Sequence, residues 1–318
     1  MNKSILFAVD GSKSSLQVAS VLGKLLKDQT QNSILLLHCV QQLAALYPGE
    51  IAEIGSVERS SAEFQKKLGD AVLASSVQAL QESGFPADQI RSDLVLGCTD
   101  PAQDILAKAE AERIRTIALG RRGRSQLQSL LLGSVSSKVA QYSHYRTVWI
   151  IDSEVQPSRK VLVAMAGVPD ARALTYYATE FIAPIPHLHY TLFHIMPPIP
   201  PTFWDDGHIL GPEEQKDRQS RINKWRREWT QKVEKFMDKA ADSLVGKGVP
   251  EQKMDKRIVQ TKEGIARDLL NEIARGRYQM VIMGKKSFHE RKPFLMGSHA
   301  NKVLQNIERA ILCLVDAS

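Results

Sequence analysis

One stretch in the first half of the chain has residue types and spacing suited to holding a phosphate. Gly120-Arg-Arg-Gly123-Arg-Ser-Gln-Leu-Gln-Ser-Leu-Leu-Leu-Gly133-Ser134 reads G-x2-G-x9-G-S. It follows the apolar run Thr116-Ile-Ala-Leu119 and opens a helical pattern from Ser134 to Ser143. Glycines at a strand end let backbone N–H groups approach an anion with no side chain in the way. A helix that starts just after them adds oriented donors and the positive end of its dipole. The loop lacks the Gly-Lys-Ser/Thr ending of a Walker loop and is not G-x-G-x-x-G.

The same register recurs downstream, where Gly284-Lys-Lys-Ser287 is followed by nine residues and then Gly297-Ser298. Gly120 and Gly284 are 164 apart, as are Gly133 and Gly297, Asp104 and Asp268, and Gly84-Phe-Pro86 and Gly248-Val-Pro250. A common offset across these landmarks identifies an internal duplication. Earlier landmarks align at 156, pairing Asp10 with Ala166, Gly11 with Gly167 and His38 with His194. The insertion therefore falls between His194 and Gly248, where Pro197-Pro-Ile-Pro-Pro201 reads as a stiff surface loop.

The elements that must position the loop follow from hydrophobic periodicity. Lys3 to Val9 and Ser33 to Val40 are short apolar runs of the kind that form buried parallel strands, and Ser92 to Leu96, Arg115 to Leu119 and Thr147 to Asp152 read as the third, fourth and fifth strands. Between them, Ser14 to Lys27, Val57 to Glu82, Asp100-Pro101 to Glu112 and Ser134 to Ser143 have helical spacing and helix end signals. Strands alternating with helices predict a parallel sheet covered on both faces. The pattern restarts at Arg159 after the linker 153–158, giving domains at 1–152 and 159–318. In the second copy a charged helix from about Glu213 to Val245 carries Ile222, Trp225, Trp229, Val233, Phe236 and Ala240 as a core-facing stripe, with a partner-binding groove as the alternative.

In such a sheet, ligands collect at the carboxyl ends of strands where the winding direction reverses. Asp10, at the end of the first strand, could bond an adenine amino group or a ribose hydroxyl, or could be a turn or N-cap residue before the first helix. The backbone around Cys39 could meet an adenine edge, while His38 reads as structural. Ser134 and the N–H groups after it are placed for phosphate oxygens.

The loop spacing, with Val9-Asp10-x-Ser12, Leu36-Leu37-His38, Gly97 before Asp100-Pro101, and Val148-Trp-Ile-Ile-Asp152, resembles the universal stress protein family in its nucleotide-binding branch. The resemblance spans nearly the whole chain as two consecutive copies. It implies two tandem flavodoxin-like, or adenine-nucleotide α-hydrolase-like, α/β domains, each a five-stranded parallel sheet flanked by helices. The last strand of each, Thr147 to Asp152 and Ala310 to Val315, would pair antiparallel to make an internal pseudo-dimer. The implied ligand is ATP, with or without Mg2+, and the matching positions are Ala8, Asp10, Cys39, Leu119, Gly120, Gly123, Gly133, Ser134 and Val135. The second copy departs from the pattern at Ala166, Ser287 and His299, so strong nucleotide binding is expected in the first copy alone.

The formal net charge is +7, and the basic residues Arg121, Arg122, Arg124, Lys285, Lys286, Arg291 and Lys292 beside the loops read as a positive field for a polyphosphate or as solvated loop charge. No nucleic-acid motif or interleaved aromatic pattern accompanies them. No run approaches a membrane span, and a cytoplasmic location is expected. Cys39, Cys98 and Cys313 are far apart with no CxxC, which suggests free thiols and no metal site. Nothing in the sequence marks a hydrolytic constellation. The leading reading is an ATP-binding sensor or switch in stress responses. A slow ATP hydrolase and a nucleotide-independent scaffold or chaperone-like protein are the alternatives. A protein partner and further homodimerisation stay open.

Overall fold

The computed structural model describes residues 3–29, 31–41, 62–122, 132–204, 207, 209–285 and 296–316. In the first half these form β1 (Ile5–Ala8), α1 (Lys13–Leu26), β2 (Ile34–Gln41), α2 (Ala62–Glu82), β3 (Ile90–Cys98), α3 (Pro101–Ala111), β4 (Thr116–Gly120), α4 (Ser134–Tyr142) and β5 (Thr147–Ile151). The second half repeats the series as β6 (Lys160–Ala164), α5 (Val168–Tyr177), β7 (His189–Met196), α6 (Pro212–Val245), β8 (Met254–Gln260), α7 (Ile265–Gly276), β9 (Met280–Gly284), α8 (Ser298–Asn306) and β10 (Ile311–Val315).

All ten strands join one sheet, in the order β3-β2-β1-β4-β5-β10-β9-β6-β7-β8. Every pairing is parallel except β5 with β10, the seam that the two apolar edge segments predict. Cys313 lies opposite Trp149 in that seam, and the two are 164 apart in sequence, so the pseudo-twofold axis passes through equivalent positions of the copies. A bulky indole faces a small thiol across the axis. Pairing removes two exposed strand edges, and β5 and β10 are buried along their length.

Alternation along each strand sends neighbours to opposite faces. Ile5 and Phe7 pack with α1 residues Val18, Leu22 and Leu26, whereas Leu6 packs with Ile105 of α3 and Val139 of α4. In the second half Phe236, Ala240 and Leu244 of α6 join the first face, while Leu269 and Ile273 of α7 and Val303 of α8 join the other. Four of the six residues of the α6 stripe, Ile222, Val233, Phe236 and Ala240, are buried, while Trp225 and Trp229 are half-buried.

Local signals end the elements as expected. Asp100 is the N-cap of α3 and accepts from the Ala102 N–H at 3.1 Å. Gly84 takes φ +96° just after α2, a conformation that costs a Cβ-bearing residue energy. Among the contacts that cross the halves, Tyr177 of α5 receives the Trp149 indole N–H at 2.8 Å and lies 3.1 Å from the Thr116 hydroxyl, deep in the core.

Candidate functional site

Strand order places the site. In the first half β1 lies between β2 and β4, so the winding direction reverses at β1 and opens a crevice at the strands' carboxyl ends. Ala8 is level with Leu37 of β2 and Leu119 of β4. Two residues further along, Asp10 and Cys39 reach the same edge, and Gly120 closes β4 beside them.

The long loop is tied shut at its base. The Gly133 N–H donates to the Arg121 carbonyl at 2.9 Å, and the Ser136 hydroxyl donates to the Gly120 carbonyl at 2.7 Å. These bonds return Gly133, Ser134 and Val135 to the end of β4. Gly133 is the N-cap of α4 and has no side chain with which to cap it, so the first-turn amides of Ser134 and Val135 open the helix without a capping side chain. Ser134 itself is exposed. A Cβ built on Gly120 would come within 3.2 Å of the Arg122 carbonyl, a close approach that favours glycine. Gly123 lies outside the described residues, as do Arg124, Ser287, Lys286, Arg291 and Lys292.

Asp10 has a turn role as well as a place at the edge: its Oδ1 accepts the Ser12 N–H at 3.0 Å. The helix N-cap is Ser12, whose Oγ accepts from the Ser15 N–H at 3.1 Å. His38 is structural, with Nδ1 2.7 Å from the Val9 carbonyl and the ring buried. Its counterpart His194 repeats that contact with the Met165 carbonyl at 2.7 Å, and its Nε2 accepts the Trp229 indole N–H at 3.0 Å. Burial lowers the His194 pKa, opposed in part by the bond to Met165, and both ring nitrogens are placed for the neutral tautomer. Trp229 of α6 therefore sits beside the strand that corresponds to β2.

Two basic residues taken as part of a phosphate field do something else. Arg121 and Lys285 are 2% and 1% exposed, and both turn toward the opposite half. Arg121 Nη2 donates to the Gln305 carbonyl in α8 at 3.0 Å, with Asp152 Oδ2 3.5 Å from Nη1. Lys285 Nζ donates to the Ser143 carbonyl at the end of α4 and to the Ser143 hydroxyl at 3.0 Å. Each cation thus meets the carbonyl end of the other half's last helix, where the macrodipole favours positive charge. Arg122, by contrast, is exposed. The second half repeats the loop base, with the Gly297 N–H donating to the Lys285 carbonyl at 2.9 Å.

Two of the cysteines come together in the fold. Cys39 and Cys98, far apart along the chain, lie on paired strands, and with Asp104 of α3 their ligand atoms fall within 4.8 Å of one another. All three cysteines are free thiols. Burial and the nearby Asp104 charge push the Cys39 thiol up to about 11, and burial pushes Cys98 up as well. Spacing in one strand pair could not reveal this cluster, because the third member arrives from a helix.

Comparison with known proteins agrees with the duplicated architecture. A model of the universal stress protein family matches residues 1–151 and again 157–314. The chain belongs to the universal stress protein family. Among relatives, universal stress protein YxiE of Bacillus subtilis is 30% identical over 146 residues, covering 45% of this chain and 95% of its own length. Universal stress protein MJ0577 of Methanocaldococcus jannaschii is 27% identical over 154 residues, covering 45% of this chain and 91% of its own length. A universal stress protein from Archaeoglobus fulgidus aligns over 100% of both chains, with a TM-score of 0.64 and 18% identity, a likeness of fold. As a universal stress protein, the chain consists of two tandem α/β copies; among its described residues no helix is long and apolar enough to cross a membrane.

Proposed function

We propose that this universal stress protein binds an adenine nucleotide, ATP, in its N-terminal domain (1–152), and that its C-terminal domain (159–318) is a structural or regulatory mate joined through 153–158. Binding would make the chain an ATP-dependent sensor or switch in stress responses, acting in the cytoplasm. The observation that carries the reading is the placement of an uncapped helix start, Gly133-Ser134-Val135, against the end of β4 at the reversal point of the sheet.

In this reading the α4 amides and the Ser134 hydroxyl hold phosphate oxygens, with Gly120 and Gly123 keeping the loop close to them. Asp10 bonds the adenine amino group or a ribose hydroxyl, and the backbone at Cys39 meets the adenine edge, with Ala8 and Leu119 as the floor. Mg2+ would screen the phosphates. The C-terminal domain keeps the loop base, but Ala166 supplies no carboxylate, and Ser287 and His299 add bulk where the first copy has Gly123 and Val135.

Isothermal titration with ATP tests this. The expected stoichiometry is one tight site per chain. Gly123→Val should abolish it by crowding the phosphates. Asp10→Asn keeps an acceptor for the Ser12 N–H but removes the charge, and should weaken binding roughly 10- to 150-fold if a charged hydrogen bond is lost. Folded variants with wild-type affinity, or two equivalent sites per chain, would sink the reading. Turnover above the Gly123→Val control would make the protein a slow hydrolase as well.

A further inference from the structure

The cluster of Cys39, Cys98 and Asp104 is not required by the nucleotide reading, which uses only the backbone at Cys39. Cys98 is the last residue of β3 and is buried, whereas Cys39 is partly accessible near the end of β2. The β2–β3 register shifts between Cys39 and Gln41, and Gln41 pairs with Cys98. Cys39 points to the α3 side of the sheet, since it packs with the cluster that contains Ala102 and Ile105. Asp104 occupies the first turn of α3 and completes the group.

We propose that these three side chains form a site for a thiophilic divalent cation, Zn2+, at the carboxyl edge of the first half. Zn2+ takes Cys sulfur at about 2.3 Å and carboxylate oxygen at about 2.0–2.2 Å in tetrahedral geometry, which puts ligand atoms roughly 3.5–3.8 Å apart. The ligand atoms already lie within 4.8 Å of one another. Two sulfurs and one oxygen form a donor set that selects Zn2+ over Mg2+ or Ca2+. Binding releases the two thiol protons to solvent as the thiolates and the carboxylate take the metal. Three protein ligands leave one position for water or an incoming donor.

The duplicated half supplies an independent comparison. Asp268, the counterpart of Asp104, is turned back onto its own loop, where Oδ2 accepts from the Thr261 hydroxyl at 2.7 Å and the Lys262 N–H at 2.7 Å, and Oδ1 from the Glu263 N–H at 3.2 Å. Ile195 and Lys262 stand where the first half has Cys39 and Cys98. The second half therefore builds the same strand–loop–helix corner with neither thiol, and uses the aspartate to hold the loop. In the first half the aspartate faces two sulfurs instead. Cys313, the third cysteine, is buried in the seam strand and serves as an internal control.

The test uses the full chain, reduced and stripped with a chelator, and titrated with ZnCl2 against a chromophoric competitor, then with Co2+. The expected result is one metal per chain and, with Co2+, a thiolate-to-metal charge-transfer band together with intense tetrahedral d–d bands. Cys39→Ser and Cys98→Ser should each weaken Zn2+ binding about tenfold or more, since even outer-shell changes reach that size. Should Cys98→Ser fail to fold by circular dichroism, Asp104→Asn leaves both thiols in place and must still weaken binding. Wild-type affinity no greater than that of the Cys39→Ser/Cys98→Ser pair, a Co2+ spectrum without the thiolate band, or unchanged affinity in Asp104→Asn would overturn the proposal. ATP titration of the metal-free chain is a separate arm: Zn2+ binding without ATP binding defeats the nucleotide reading and leaves the metal site standing.

Discussion

Replacing Tyr177 with Phe should loosen the junction between the two halves, by an amount that follows from its contacts. The phenol oxygen accepts the Trp149 indole N–H at 2.8 Å and lies 3.1 Å from the Thr116 hydroxyl, and all three residues are buried. Burial raises the Tyr177 pKa well above its ordinary value, so the group is a neutral O–H across the working pH range. Phenylalanine keeps the ring and its stacking on Phe181, whose centroid is 4.9 Å away, and deletes the oxygen alone. The loss combines a hydrogen bond to Thr116, about 0.5–1.5 kcal/mol, with a buried indole N–H deprived of its acceptor, about 1–3 kcal/mol. The expected destabilisation is about 2–4 kcal/mol, a fall in the urea midpoint on the order of 1 M at ordinary denaturant slopes. Equilibrium urea unfolding, followed by far-ultraviolet circular dichroism, measures it. A double-mutant cycle with Trp149→Phe should return a coupling of about 1 kcal/mol or more, because the second change removes the stranded donor. A single-variant effect below about 0.5 kcal/mol, or no coupling, would show that this network contributes nothing to the junction.

Three further outcomes are expected. Ile150→Pro should break the seam, because proline removes an N–H and restricts the backbone in a strand buried on both faces; small-angle scattering of the variant should show an expanded chain, and an unchanged radius would count against the seam. Lys285→Met should uncouple the end of α4, since it deletes the buried ammonium that bonds both oxygens of Ser143; faster amide exchange at Ser143 and Tyr142 is the readout, and unaltered exchange would assign the cation no such role. Acid should destabilise the second half through His194, whose folded pKa lies below its unfolded value of about 6.5. The unfolded state then binds the extra proton, so this contribution is complete above the unfolded pKa and is lost as pH falls through that value toward the folded one. Urea midpoints at two pH values should converge in His194→Gln relative to wild type, and an identical pH slope in both would refute the assignment.

Much of the architecture was legible in the order of residues. Strands buried on both faces are largely apolar, so Ile5–Ala8, the Ile34-Leu-Leu-Leu37 start of β2 and Thr116–Gly120 stand out as runs, and helix ends are marked by local chemistry such as Asp100-Pro101 and Gly84. Duplication was visible because both copies must build the same turns, and the apolar last strand of each copy needed a neighbour. Of the loop residues, Gly120 and Gly133 lie at the base of the loop, where the Gly133 N–H returns to the Arg121 carbonyl, and Gly123 lies outside the described residues.

What only the tertiary structure decided are contacts between positions remote in sequence. Arg121 and Lys285 read as loop charges, yet each crosses to the opposite half, because the antiparallel seam places the end of each last helix beside the other copy's loop base. Trp229 reads as one more member of a core stripe, but the packing of α6 against β7 makes it the hydrogen-bond donor to His194. Cys39 and Cys98 show no spacing rule, since their approach depends on a register shift between two strands, and Asp104 joins them from a helix that packs on that face of the sheet. Periodicity and turn chemistry are set by near neighbours and survive in the sequence; cross-strand register and helix rotation depend on the whole packed core, and these place the buried cations and the thiol cluster.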